Sequence, residues 1–88
     1  MNEANRDLLN EINVAAYFIA KESHPYDTLC WFLAEREIIF KNPEVDPPDP
    51  LVKQRAAQIY FEGCPYDILT WRIAELDILI KHGRFETE

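Results

Sequence analysis

Residues 15–42 and 55–82 are two copies of one sequence, forty positions apart and aligned without a gap. Twelve of the 28 aligned positions are identical, where ordinary residue usage gives roughly two by chance. The strongest blocks pair Pro25-Tyr26-Asp27 with Pro65-Tyr66-Asp67, and Trp31-x-x-Ala34-Glu35 with Trp71-x-x-Ala74-Glu75. Single matches join Ala16/Ala56, Ile19/Ile59, Glu22/Glu62, Leu29/Leu69, Ile38/Ile78 and Lys41/Lys81. A repeat is a packing unit stated twice, so each copy needs the other, or a neighbour, to bury its apolar face. The duplication therefore constrains architecture; it names neither a reaction nor a ligand.

The apolar spacing inside each copy is helical. Leu8, Ile12, Ala16 and Ile19 recur at intervals of four, four and three, which places them on one face of a helix over about Asn5–Lys21. Pro25 interrupts it, because proline disfavours helical geometry at the residue before it yet fits the first turn of a new helix. A second helix follows over about Pro25–Lys41, with Asp27 at its positive end. Asn42–Pro50 holds four of the six prolines and reads as a stiff, non-helical connector. The second copy gives helices over about Leu51–Phe61 and Pro65–His82. Gly63 supplies a left-handed cap between them, His82-Gly83 closes the last helix, and Arg84–Glu88 are expected to fray.

The second helix of each copy is apolar on two sides. With Trp31 at zero and about 100° per residue, Asp27, Ala34, Glu35 and Ile38 fall near it, while Leu29, Leu33 and Phe40 fall opposite. One side is expected to meet the first helix of its own hairpin, and the other to meet the second hairpin or another molecule. Glu37 with Lys41, and Asp77 with Lys81, read as i,i+4 pairs facing solvent. These patterns predict a single all-α domain of two tandem αα-hairpins related by a pseudo-twofold, a small four-helix arrangement. Repeat 1 spans about residues 5–42, the connector 43–50 and repeat 2 about 51–83.

Bulk chemistry narrows function mainly by exclusion. A net charge of −7 repels phosphate backbones and anionic lipid, so neither direct nucleic-acid binding nor membrane binding is expected. Neither second helix opens with basic or amide residues able to read base edges, which also rejects a DNA-binding helix-turn-helix. No apolar run approaches the ~20 residues of a membrane span, and the polar start Met1–Asn10 is unlike a secretory leader. Cys30 and Cys64 occupy unmatched repeat positions, facing Thr70 and His24 in the alignment, so no duplicated clip exists. They predict reduced thiols and a cytoplasmic protein.

No catalytic or metal frame stands out. His24, Cys30, Cys64 and His82 show no CxxC, HxxxH or ExxH spacing, and no glycine-rich phosphate loop or nucleophile elbow is present. Neither cofactor nor metal is expected. Pro-Tyr-Asp reads as a helix start with a tyrosine packed over the turn, proline and aspartate being chosen for the backbone. Trp-x-x-Ala-Glu admits two readings. Trp31, Ala34, Glu35 and their mates Trp71, Ala74, Glu75 would form a binding face. Otherwise they are internal, with tryptophan filling a core, alanine admitting a close helix crossing and glutamate accepting from N–H groups. Internal use is favoured, because both copies keep the block while their flanks diverge.

Each half resembles a short bacterial family of unknown function. In that family a helix ending in an aromatic-rich stretch is followed by Gly-x-Pro and then Trp-x-x-Ala-Glu. The second copy carries Ala57-x-x-Tyr60, Gly63-Cys64-Pro65 and Trp71-Arg72-Ile73-Ala74-Glu75. The first carries Ala16-Tyr17, His24-Pro25 and Trp31-Phe32-Leu33-Ala34-Glu35, with Ser23 in place of the glycine. The resemblance implies a helical hairpin and no catalytic activity.

The expectation is thus a small acidic, non-enzymatic protein-interaction module, self-associating, most simply as a homodimer. Phe18, Phe32, Phe61 and Ile68 are apolar residues the repeat does not share, and they are candidates for its surface patch. An acidic decoy is the alternative and requires Glu44, Asp46, Asp49, Glu62, Glu86 and Glu88 to gather. A ligand-binding or enzymatic dimer is a further one and requires Glu35 and Glu75 to line a cavity.

Overall fold

The computed structural model describes the backbone of residues 3–86 and the side-chain surroundings of residues 7–83. The described residues form four helices: α1 (Glu3–Lys21), α2 (Tyr26–Lys41), α3 (Asp49–Glu62) and α4 (Tyr66–Glu86). The domain is all-α, with no strand among the described residues. Two boundaries correct the sequence expectation. Asp49 and Pro50 belong to the first turn of α3, with Pro48 before them, because proline lacks the N–H that a first turn leaves unpaired anyway. Gly83 lies inside α4 rather than ending it, and the helix runs on to Glu86. Of the segment expected to fray, Thr87 and Glu88 lie outside the described residues.

The two turns inside the repeats are built alike. Ser23 and its mate Gly63 both take left-handed backbone, at φ 57° and 71°. The Ser23 N–H donates to the Ala20 carbonyl at 3.1 Å, and the Gly63 N–H to the Tyr60 carbonyl at 3.2 Å. The Pro25 and Pro65 carbonyls then accept from the Leu29 and Leu69 amides at 3.1 and 3.0 Å, opening α2 and α4. Pro25 itself is extended, at φ −59° and ψ 154°. One left-handed residue followed by extended chain sends the next helix outward instead of folding it back.

The hairpins are consequently open, and this decides the packing. α1 packs on α4, α3 packs on α2, and α2 packs on α4. Among the described residues, no packing contact joins α1 to α2 or α3 to α4. The expectation that each second helix meets the first helix of its own repeat is thus corrected: it meets the first helix of the other repeat. Two reciprocal hydrogen bonds mark the pseudo-twofold. The Tyr26 hydroxyl donates to the Cys64 carbonyl and the Tyr66 hydroxyl to the His24 carbonyl, each at 2.7 Å. The tyrosine of Pro-Tyr-Asp therefore clasps the turn of the opposite repeat, not its own.

Between the clasped turns, Leu29 and Leu33 of α2 and Leu69 and Ile73 of α4 are all buried and form the axial core. The two flanks then follow one plan. Val52, Ala56 and Ile59 of α3 bury against α2, while Ile12 and Ala16 of α1 bury with Ala74 of α4. Cys30 and Thr70, one residue beyond the axial leucines, are buried equivalents, and the Thr70 hydroxyl is satisfied by the Asp67 carbonyl at 2.9 Å.

Candidate functional site

The duplicated Trp-x-x-Ala-Glu block faces the flanks, not the axis. Ala34 and Ala74 are fully buried, where a larger side chain would hold the helices apart. Trp31 and Trp71 are half-buried beside them, packed against the cores of the α2–α3 and α1–α4 flanks. The Trp71 indole N–H donates across to the Asn13 Oδ1 at 3.0 Å. Trp31, Glu35, Trp71 and Glu75 do not converge on the pseudo-axis, because the leucines occupy it. Glu35 accepts from Arg36 Nη1 at 2.9 Å. Both Glu35 and Glu75 are half-exposed, and neither lines any of the three clefts described below.

Charged residues of the second helices carry contacts between helices. Glu37, with its side chain 17% exposed, takes Arg55 of α3 through Nε at 2.7 Å and Nη2 at 3.3 Å. That pairing raises the Arg55 pKa further, against the opposing effect of burial. Asp77 takes Arg36 Nε of α2 at 2.9 Å. The acids expected to pair with Lys41 and Lys81 are used between helices instead, because the α2–α3 and α2–α4 contacts bring arginines to them.

The four candidate surface residues separate. Phe32 is half-buried against the core, with the Arg36 guanidinium 5.1 Å over its ring and His24 edge-on at 5.2 Å, so it is no part of an exposed patch. Phe18 is 54%, Ile68 45% and Phe61 84% exposed. Phe18 meets Tyr17 edge-on at 5.5 Å, and Phe61 meets Tyr60 at 5.6 Å. These are two aromatic pairs on different helices, α1 and α3, with no ring contact between the pairs among the described residues.

The sequence reading missed a more coherent feature. Val14, Tyr17 and Phe18 are each more than half exposed. They lie about 120–160° around α1 from the buried Ile12, on the face turned away from α4. Their spacing of i, i+3, i+4 is that of a helix seam. The matching residues of α3 are Gln54, Ala57 and Gln58. Comparing the outward positions of the two repeats, rather than their shared ones, would have found it.

Among the described residues, three clefts stand out. One of about 370 Å³ lies between the C-terminal ends of α2 and α4, walled by the repeat mates Ile39/Leu79, Phe40/Ile80 and Pro43/Gly83. A second, of about 460 Å³, lies along α2 and α3 around Glu37, Arg55 and Gln58. The third, of about 370 Å³, opens between the start of α2 and the end of α3, beside Trp31, Tyr60 and Phe61. Among the described residues no three His, Cys, Asp or Glu side chains gather where they could hold a metal ion. Likewise no described helix is long and apolar enough to cross a membrane.

Among the described residues, the acids named for a decoy do not merge into one face. Glu44, Asp46 and Asp49 are exposed on the connector and at the first turn of α3. Glu62 ends the same helix, about 20 Å away, with its carboxylate 3.9 Å from Arg55. The Glu86 side chain and Glu88 lie outside the described residues. No family model matches the chain, and comparison with curated proteins and with solved structures finds no significant match.

Proposed function

We propose that this chain is a small acidic, non-enzymatic protein-interaction module of the cytoplasm, which self-associates through the outer face of α1. The observation that carries the reading is the exposed seam Val14–Tyr17–Phe18, set where the second repeat is polar. A duplicated helix that keeps its core positions but exchanges glutamine for valine and phenylalanine outside gains nothing for its own fold. Such a seam lowers its free energy by burial against another helix.

Sedimentation velocity over a range of concentrations tests it. The native chain is expected to form a dimer, and the double variant Tyr17→Glu/Phe18→Glu to weaken it at least tenfold with unchanged helicity, since both side chains are exposed. A strict monomer at every concentration would end the self-association reading. A dimer indifferent to the double variant would move the interface away from α1.

A further inference from the structure

The outer face of α1 carries charge as well as its apolar seam. Asp7 lies seven residues before Val14 and Lys21 seven after, and all three side chains are exposed. Seven residues make two helical turns less about 20° of drift. Both charges therefore fall within about 20° of Val14 around the helix, and about 10 Å from it along the axis. Neither enters an ion pair among the described residues. Glu11, at the edge of the same face, is held by His82 of α4 at 2.9 Å. Along α1 the strip thus runs negative, apolar, positive.

Such a strip is complementary to its own reverse. Two copies laid antiparallel about a twofold at Val14 bring each Asp7 to the partner's Lys21, at both ends at once, because a twofold contact makes residue i meet j and j meet i. Val14 then meets its own copy at the centre, flanked by Tyr17 and Phe18 of each chain. Laid parallel, the strips set Asp7 on Asp7 and Lys21 on Lys21. Those two repulsions add to the one between chains of net charge −7. The second repeat lacks the pattern, since the places matching Asp7, Val14 and Lys21 hold Pro47, Gln54 and Phe61.

We propose that the α1 seam binds a second copy of this chain antiparallel, with two Asp7–Lys21 pairs setting direction and register. The pairing rests on the self-association through α1 proposed above and adds its geometry. Burial of Val14, Tyr17 and Phe18 supplies the affinity. Exposed ion pairs contribute little each, but like charges brought together penalise the wrong arrangement.

Sedimentation velocity of full-length charge variants at about 20 mM salt tests the arrangement. Asp7→Lys and Lys21→Glu are each expected to weaken the dimer about tenfold, since each turns two attractions into two repulsions. The two changes move the net charge in opposite directions, so general repulsion between chains would give them opposite effects. Lys53→Glu, exposed on α3, matches the charge change of Lys21→Glu and is expected to leave the dimer near its native strength. An equal mixture of Asp7→Lys and Lys21→Glu chains is expected to regain native-strength association, which also shows both variants to be folded. Raising the salt to about 0.5 M is expected to remove most of the difference between variants. Single variants that dimerise like the native chain overturn the pairing, while disruption by Tyr17→Glu/Phe18→Glu still upholds self-association through α1. Opposite effects of the two single variants, a comparable loss with Lys53→Glu, or a mixture that fails to recover overturns the pairing equally. A native chain that is monomeric at every concentration overturns both the pairing and the self-association beneath it.

Discussion

The α1–α4 and α2–α3 flanks are the same object built twice, and their differences are more informative than their identities. Both set a tryptophan beside a buried alanine pair, Trp71 with Ala16 and Ala74, Trp31 with Ala56 and Ala34. In the first flank the indole is tied to Asn13, and the apolar surplus is turned outward as Val14, Tyr17 and Phe18. In the second the outer face is polar, and the aromatic surplus sits at the helix end, around an open recess. Shared residues such as Leu29, Leu69, Ala34 and Ala74 fill the core, whereas divergent ones either bridge helices, as Arg36 and Arg55 do, or leave surface uncovered. A duplicated fold can vary at positions that its packing does not use, and those are the positions from which function can be read.

The largest effect is expected from cutting the chain between its two repeats. Because, among the described residues, each repeat's helices pack only on the other repeat, fragments 1–42 and 43–88 are each expected to lose nearly all helical signal at low micromolar concentration. Mixing them in equal amounts is expected to restore it. Circular dichroism of the fragments alone and mixed decides this, and stable helicity in either fragment alone would contradict the open hairpins.

Next in size is the axis that both flanks lean on. Leu29→Ala and Leu69→Ala remove mated side chains that are fully buried, and each is expected to cost about 2–5 kcal/mol in urea unfolding. Near-equal losses would confirm that the two copies carry equal weight there; a large imbalance would show one flank to be the more stable.

Smaller effects sharpen the symmetry at the turns. Ser23 occupies left-handed backbone that its mate fills with glycine. Ser23→Gly is therefore expected to stabilise the chain by about 1 kcal/mol, and Gly63→Ser to destabilise it by about as much. No atom lies within 4 Å of a Cβ placed at Gly63, so the second change tests backbone strain and not crowding. Opposite signs of change in the melting temperature are the expected result.

The smallest effect concerns the reciprocal clasps. Burial, with Cys30 and Cys64 nearby, pushes the Tyr26 hydroxyl above the ordinary tyrosine value of 10.0. A raised pKa means that the folded state favours the protonated phenol. Its contribution is thus intact below pH 10 and is lost as the pH rises past that value. Tyr26→Phe is expected to lower stability slightly at neutral pH and to flatten the decline on the alkaline side. Melting curves from pH 7 to about 11 check the slope.

Much of the fold was legible because it depends on local rules. Pro25 and Pro65 fix where helices begin, Gly63 marks a left-handed stop, and the spacing of Leu8, Ile12, Ala16 and Ile19 gives a buried face. Pro50 and Gly83 misled for a related reason: a proline fits a first turn as well as a connector, and a glycine can continue a helix as well as end one. The candidate site was less legible. Phe18 and Phe61 were found from their lack of a repeat mate, but Phe32 has the same pattern and is half-buried under Arg36. Burial of such a residue depends on which helix crosses over it, and sequence spacing does not encode that.

Residue order alone carries the duplicated set of four helices, the two-sided second helices, a proline-rich connector and a net charge of −7. Periodicity, proline placement and the repeat are properties of the chain, and each acts over a few residues. The opening of the hairpins and their exchange of partners, with tyrosine clasps and carboxylate–arginine pairs joining one repeat to the other, came from packing. That choice rests on the angle set by one left-handed residue and the extended chain after it. It also rests on side chains far apart in sequence fitting together, as Leu29 and Leu33 do with Leu69 and Ile73.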